Sequence, residues 1–367
     1  MFQSITAQLS EKSRQLKLSL ENTYYRIKYP HPVILEDYLL TDKQFSGKTL
    51  NIVYITHIVA EHNISNTIKP LEKLGNVHVF EMDPENNRKT WYARKQSRNK
   101  ELLDFLVQKK NTIDIIIFYI SGYTTAPAIL EIISAMKVPM INEGLDDERK
   151  FRSRKGKDGI RRGNSDICKY FDLSLTTSRS AIRKYLAEGG TPVYIPYAVN
   201  PDIYINPDNK QKKYDVIFVG ARYGIREEYV NYLTQNGIDI QAFGHGWENG
   251  SVSTEKMINL FNEAKIVLGF SSVGKSENIN IIKARDFEVP MTGNFYITQY
   301  HDELEQYFRI GNEIETYNNK NDLLNKITHY LDNNEERKSI EQAGYQKAFS
   351  SYNVHSKYSN IMGHFDL

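Results

Sequence analysis

The chain has a single cysteine, Cys168, among its 367 residues. That excludes an intramolecular disulfide and a multi-cysteine zinc site, and it suits a reducing compartment. No run of about 18 apolar residues is present, so no membrane-spanning helix is expected. The first 20 residues lack the continuous apolar core of a secretory signal, and a cytoplasmic location is expected. Neither sign of charge is in excess: 47 Lys and Arg stand against 45 Asp and Glu, a net charge of +2. Affinity for nucleic acid or a membrane surface therefore has to come from a local patch. His, Asp and Glu nowhere cluster at metal-ligand spacing, and there is no low-complexity tract. What remains is ordinary for a globular protein, 40% apolar and 25% charged, at a length that makes two domains rather than one.

Residues 1–45 read as a helical extension. Phe2, Ile5, Leu9, Leu16, Leu20 and Tyr24 recur at roughly helical spacing, and the pattern stops at Tyr29-Pro30-His31-Pro32. Its polar face mixes Glu with Lys and Arg, which favours packing on protein over lying on a bilayer. Over 46–198, apolar strand-like runs (50–56, 77–80, 113–120, 138–141, 173–177, 193–196) alternate with helical patterns (63–74, 100–109, 126–136). The prolines of Ile195-Pro-Tyr-Ala-Val-Asn-Pro201 mark a linker. The alternation restarts in 199–350, with strands at 215–219, 238–243, 265–270 and 295–298 and helices at 226–236 and 254–264. A last helix, 353–362, falls in the final segment 351–367. Strands separated by helices of this length imply α/β domains built on doubly wound parallel sheets.

The stretch from Lys283 to Tyr300 carries the most chemistry. The pattern predicts a short amphipathic helix bearing Lys283, Arg285 and Glu288, stopped by Pro290, with Gly293 turning the chain into a strand. Two cations and a carboxylate beside a glycine turn suit a ligand with a diphosphate and a diol, as in a nucleotide sugar. An Arg285–Glu288 pair at i,i+3 on a solvated face is the plainer alternative.

Phe287-Glu288-Val-Pro-Met-Thr-Gly293 resembles the Phe-Glu-x-x-x-x-Gly signature of GT-B glycosyltransferases of the spore-maturation-protein type, with their family 1/4-like C-terminal domain. Leu304-Glu305, Tyr307-Phe308, Gly311, Glu313, Tyr317, Asp322-Leu323, Lys326, Tyr330-Leu331, Arg337 and Gly344 continue the similarity towards the end of the chain. The N-terminal half is similar only loosely. The resemblance implies two Rossmann-like domains facing a cleft, with the C-terminal helix returning to the first domain. It further implies transfer of a sugar, expected to be UDP-linked, to a hydroxyl acceptor, with no cofactor beyond that donor. Glu288 matches the residue that holds the nucleotide ribose. In retaining relatives a second glutamate lies eight positions earlier; here Asn280 stands there, so the pair is broken, Asn280 or Glu277 is left to meet the sugar, and retention is open.

Other candidates follow from position. In parallel sheets, ligands bind beyond the C-terminal strand ends. Gly220, Arg222 and Arg226 lie at such an end, before a helix whose free N–H groups attract anions. Gly274 and Lys275 occupy the loop ahead of Lys283, where backbone and ammonium suit a phosphate. Trp247 in Phe243-Gly-His-Gly-Trp247 reads as packing. Asp146 and Asp147 resemble an acidic pair found at this place in some members, one a candidate general base toward the acceptor; an Asp-rich turn is the alternative. They do not form an Asp-x-Asp metal motif, and Arg, Lys and helix dipoles can neutralise a leaving diphosphate, so metal-free transfer is expected. Lys150, Arg152, Arg154, Lys155, Lys157, Arg161 and Arg162, with three glycines, read as a mobile basic loop. Together with Arg88, Lys89, Arg94, Lys95, Arg98 and Lys100, it suits an anionic acceptor: a glycan or teichoic-type polymer, DNA, or lipid head groups at a peripheral membrane contact. Open alternatives are a DNA glycosyltransferase acting on a hydroxymethylated base, a nucleotide-sugar epimerase, and a non-catalytic glycan- or nucleic-acid-binding protein.

Overall fold

The computed structural model describes residues 2–40, 43, 45, 47–207, 211–273 and 276–367. The chain divides into two compact units: Ser13–Pro196 with His355–Leu367, and Met1–Lys12 with Tyr197–Val354. The first is the N-terminal unit and the second the C-terminal unit.

Helix α1 (Phe2–Lys28) comes first. Its C-terminal part packs in the N-terminal unit, where Tyr25 is buried with Phe151, Cys168, Ala181 and Tyr185. Lys28 pairs with Glu188 at 2.6 Å and Glu21 with the buried Lys184 at 2.9 Å. Then come β1 (Leu50–Thr56), a helical segment α2 (61–72), β2 (Gly75–Glu81), α3 (Trp91–Lys109), β3 (Ile115–Tyr119) and α4 (Pro127–Ser134). The unit continues with β4 (Met140–Gly144), the single turn α5 (Asp147–Lys150), β5 (Leu173–Thr176), α6 (Arg179–Ala187) and β6 (Pro192–Tyr194). All six strands are parallel, in the order β2-β1-β3-β4-β5-β6. Parallel sheets carry helices on both faces, which is why β1 and β3 are almost wholly apolar and buried. Trp91, Leu102 and Leu106 of α3 pack against Val53 and Phe118 in that core, each large side chain stabilising the fold by about 1.5–3 kcal/mol.

The C-terminal unit repeats the scheme with β7 (Tyr214–Val219), α7 (Arg226–Gln235), β8 (Ile240–Phe243), α8 (Thr254–Glu263) and β9 (Ala264–Leu268). A hairpin of β10 (Ser272–Val273) and β11 (Ser276–Asn280) follows, then α9 (Arg285–Met291), β12 (Tyr296–Gln299), β13 (Glu315–Tyr317), α10 (Lys320–Asp332) and α11 (Asn334–Ser351). Its sheet is parallel, ordered β13-β12-β9-β7-β8. A last helix, α12 (Val354–His364), lies almost wholly in the stretch grouped with the N-terminal unit. Both sheets therefore reverse their strand order at one point, between β1 and β3 and between β7 and β9. Such a switch point opens a crevice at the C-terminal strand ends. None of the described helices is long and apolar enough to cross a membrane.

Several elements differ from the sequence expectation. Helix α3 begins nine residues before 100, so Arg94, Lys95 and Arg98 are helical as well as Lys100. Segment α2 widens into a π turn at Ile64–Ile68 just ahead of Pro70, which cannot donate a helical hydrogen bond. Strand β2 starts at Gly75, where any Cβ would lie 2.0 Å from the Leu50 carbonyl oxygen. Strand β4 extends to Gly144, which places Asn142 and Glu143 in the sheet. Helix α9 is not amphipathic: Asp286 to Met291 are all buried, Lys283 precedes the helix, and Pro290 sits inside its last turn. Gly293, at φ +61°, ends it. Phe287 of α9 anchors an aromatic cluster with Tyr307, Phe308 and Tyr352. At Gly344, a Cβ would come within 2.2 Å of the Glu313 carbonyl oxygen. Much of the spaced series that carries the resemblance is thus packing.

Candidate active site

In the C-terminal unit the polar residues gather where β7, β9 and β12 end. Gly220 donates its N–H to Phe243 O at 2.8 Å, and the Trp247 indole donates to Gly220 O at 2.8 Å. Trp247 therefore braces this turn by packing. Arg222 is exposed, pairs with Glu227 and lies over Trp247. Arg226 is 8% exposed and donates to Ala221 O at 2.8 Å and to the Tyr223 hydroxyl at 2.9 Å. It lies 3.9 Å over the Tyr223 ring, and its Nε has no partner. No carboxylate pairs with it among the described residues.

Arg285, half-buried at the start of α9, donates Nε to Val219 O at 3.4 Å and pairs with Glu288. The other Glu288 oxygen accepts from the Tyr204 hydroxyl at 2.8 Å. Burial pulls the Arg285 guanidinium below its ordinary value, and the charge of Arg226 adds to the effect. Two arginines thus repel at one strand end with a single carboxylate between them. Asp286 offsets this only in part: its charge acts on Arg285, but it already accepts from Lys283 N at 2.6 Å and the Tyr296 hydroxyl at 2.8 Å, and burial raises its pKa to about 6. The Lys283 charge also reaches Asp286 and His301. Asn280 Oδ1 accepts from the Ser271 hydroxyl at 3.0 Å, and Gln299 Oε1 accepts from Ser272 N at 3.2 Å. Burial lowers His301 to about 4, leaving a neutral imidazole whose Nε2 has no partner.

The structure thus gathers Gly220, Arg222, Arg226, Lys283, Arg285 and Glu288, and Asn280 borders them. Gly293 does not join them. It lies before β12, at the N-terminal ends of the strands, and its turn packs against Asn206. Gly274 and Lys275 lie outside the described residues, as does the Glu277 side chain. Tyr204, Gln299 and His301 went unnoticed in the sequence; of these, only His301 carried a signal, as a titratable residue just past a strand.

In the N-terminal unit a cavity of 610 Å³ opens at the ends of β1, β3 and β4. His57, Tyr92, Tyr123, Glu143, Asp147 and Arg162 are among the residues lining it. His57 directly follows β1, its ring edge-on to Trp91 and Tyr123. Its Nδ1 is buried without a partner. Burial lowers its pKa and the Asp83 carboxylate pulls the other way, so at neutral pH the imidazole is a free base. Sequence reasoning missed it, although a titratable residue one step past a predicted strand was the signal.

Asp146 and Asp147 do not act as a pair. Asp146, in left-handed backbone at φ +59°, reaches Lys150 at 2.5 Å. Asp147 points inward: Asn164 donates to Oδ1 at 2.9 Å, and Thr176 and Tyr185 donate to Oδ2 at 3.0 and 2.8 Å. With both oxygens engaged, Asp147 braces the end of the sheet. Burial raises its pKa to about 6 from an ordinary 3.8. The neutral form is favoured on folding, so this stabilisation is complete only below pH 3.8 and is lost as pH rises from there through 6. We expect the stability difference between wild type and Asp147→Asn to shift by about 2 kcal/mol between pH 4 and pH 7, with wild type losing ground as pH rises. Urea unfolding across that range measures it, and a difference that does not vary with pH contradicts it.

The basic loop is ordered rather than mobile. Lys155 bridges Arg161 as an antiparallel pair, Gly156 N donates to Ile160 O at 2.7 Å, and Asp158 pairs with the buried Lys95 at 2.6 Å. Its glycines have structural reasons: Gly159 turns at φ +79°, and a Cβ at Gly163 would lie 2.0 Å from Lys150 O. Arg152 lies 4.3 Å over the Tyr24 ring, while Arg154, Lys155 and Lys157 are exposed. Much of the other basic run is engaged internally, Arg94 with Asp83 and Arg98 with Glu101.

Residues 226–363 match a family model described as glycosyl transferase-like. No curated protein sequence matches the chain. Solved structures match over most of its length. A glycosyltransferase from Rickettsia africae aligns with a TM-score of 0.57 at 11% identity, covering 87% of this chain and 98% of that one. Anabaena Alr3699/HepE, in complex with UDP and glucose, aligns at 0.57 and 12%, covering 86% and 99%. A putative UDP-N-acetylglucosamine 2-epimerase from Listeria monocytogenes aligns at 0.55 and 12%, covering 87% and 97%. At such identities the likeness establishes fold: this chain has the GT-B architecture, with a helical segment at its N-terminus.

Proposed function

We propose that the chain is a GT-B glycosyltransferase that moves a sugar from a nucleotide-diphosphate sugar to a hydroxyl acceptor. The observation that carries this reading is the convergence of Arg226 and Arg285 at the end of β7, at the sheet's switch point, beside a carboxylate held by Tyr204. Surplus positive charge next to one fixed carboxylate suits a diphosphate joined to a ribose diol. The glycosyl transferase-like match and the UDP-bound relative support a UDP-linked donor. Within this class the Phe287–Gly293 spacing favours the spore-maturation-protein type.

The acceptor oxygen attacks the anomeric carbon and its proton passes to His57. The bond from that carbon to the diphosphate breaks, and its electron pair leaves on the diphosphate. Arg226, Arg285 and Lys283 meet the charge that develops there, Arg222 reaches the outer phosphate, and Glu288 holds the ribose. Asp147 keeps the acceptor cavity in shape. An imidazole base serves a single displacement with inversion, the outcome we expect from NMR of the product anomer; a retained configuration contradicts it. A thermal-shift panel of nucleoside diphosphates tests the donor half. The matching one raises Tm through linkage, and no shift with any of them at millimolar concentration contradicts the reading.

No group of three or more His, Cys, Asp and Glu side chains among the described residues is arranged to hold a metal ion, and the arginines supply the charge a metal would bring. Transfer is expected to persist in excess EDTA. Loss of activity that Mg²⁺ or Mn²⁺ restores contradicts this.

A second reading, transfer onto a hydroxymethylated base of DNA, draws on the exposed Arg154, Lys155 and Lys157. Under it, replacing all three with Ser flattens the salt dependence of DNA binding, because each neutralised phosphate releases counterions. Wild-type protein that ignores DNA at low salt removes the reading.

A further inference from the structure

Three residues that line this cavity of the N-terminal unit each carry a buried polar atom without a protein partner: His57 at Nδ1, Tyr92 at its hydroxyl and Arg162 at Nε. Folded interiors pair nearly all such atoms. Three together mark a place where a ligand or water completes the bonding.

The charges of the lining are unequal in the same sense. Its two carboxylates are already satisfied. Glu143 pairs with Lys357 at 2.6 Å and accepts from the Tyr358 hydroxyl, and Asp147 accepts from three donors. The Lys150 ammonium is paired with Asp146. Arg88 and Arg162 have no carboxylate partner among the described residues, and the charges of both bear on the Tyr123 hydroxyl. The Arg162 guanidinium lies 5.5 Å from the Tyr92 ring centre and 5.7 Å from that of Tyr123.

Arg162 is also held in place from behind. The Asp158–Lys95 pair ties its loop to α3, and Gly122 accepts so close an approach that a Cβ there would lie 2.1 Å from Arg161 O. A fixed planar fork of donors matches a phosphate or carboxylate better than a mobile lysine does. The cavity volume falls within the range of small-molecule sites.

We infer that the cavity selects an acceptor carrying an oxyanion, a phosphate or carboxylate on a sugar-sized molecule, with Arg162 and Arg88 as its counter-charges. The inference rests on the glycosyltransferase reading, because it treats the cavity as the acceptor site. It concerns which acceptor is chosen, not whether transfer occurs.

Binding of glucose 1-phosphate, glucuronic acid and glucose to the full chain, followed by calorimetry or ligand-observed NMR, tests it. At least one of the two anionic sugars is expected to bind about tenfold or more tighter than glucose. Preference for glucose 1-phosphate assigns the site to phosphate, and preference for glucuronic acid assigns it to carboxylate. Arg162→Gln should weaken that binding by about tenfold or more, and Arg88→Ala by a smaller factor. Arg88 is exposed, so its variant keeps the test valid if Arg162→Gln fails to fold. UDP affinity, measured on the same samples, should be unchanged. Equal binding of all three sugars, no binding of any, or indifference to both substitutions overturns the inference. If UDP binds in those cases, the donor reading survives; if UDP does not bind at all, that parent reading falls instead.

Discussion

His57→Ala is expected to lower kcat for sugar transfer by about 10²–10⁴-fold, the usual contribution of a positioned general base, with nucleotide-diphosphate affinity unchanged. The reason is positional. His57 is the first residue beyond β1, at the switch point of its sheet, and lines the cavity in which the acceptor is proposed to lie. Its burial lowers its pKa, so the base form persists to lower pH than for an ordinary histidine. Activity should fall only as pH drops through that lowered value, with the acid limb of the kcat profile below 6.5. Steady-state rates from pH 5 to 8 and calorimetry with UDP measure both parts. A variant that transfers at the wild-type rate removes His57 from the chemistry, and one that also loses UDP has been damaged elsewhere.

Arg285→Met should weaken UDP binding by about 1.5–3 kcal/mol, the range for hydrogen bonds to charged groups, or roughly 10–150-fold. The loss should shrink for uridine, which has no diphosphate for the arginine to meet. Glu288→Ala should cost about 1–3 kcal/mol for both ligands, because its proposed partner is the ribose that they share. The contrast between the two variants separates a diphosphate contact from a ribose contact. Since Arg285 also pairs with Glu288 and braces Val219 O, circular dichroism should first establish that each variant is folded. Unchanged UDP affinity in a folded Arg285→Met protein takes the residue out of the donor site.

Both parallel sheets were legible because buried strands are nearly continuous apolar runs, as in Leu50–Thr56 and Ile115–Tyr119, separated by helical periods. The donor cluster was legible in part. Gly220, Arg222 and Arg226 follow a strand, and Lys283, Arg285 and Glu288 share one short segment, so local order alone placed them together. Residues whose role depends on long-range packing were harder to place. Nothing local distinguishes Asp146, half-buried beside Lys150, from Asp147, which three donors enclose, because Asn164, Thr176 and Tyr185 lie 17, 29 and 38 residues away in sequence. The basic loop read as mobile because its ordering partner, Lys95, is 63 residues distant. Tyr204 meets Glu288 across 84 residues. Gly293 sat in the right motif at the wrong end of the strands, since a seven-residue helix carries the chain from their C-terminal ends back to their N-terminal ends.

The central claim is that the chain cleaves a nucleotide sugar at the anomeric bond, using the arginines that end β7 and begin α9. Incubating purified protein with a panel of nucleotide sugars, with no acceptor added, and following both free nucleotide and sugar identity tests this most directly. A glycosyltransferase lets water take the acceptor's place at a slow rate. The account predicts release of the nucleoside diphosphate and free sugar from at least one UDP-linked donor, abolished in Arg285→Met and undisturbed by EDTA. A donor recovered intact with its sugar epimerised, or no turnover and no binding of any nucleotide sugar at millimolar concentration, would contradict it.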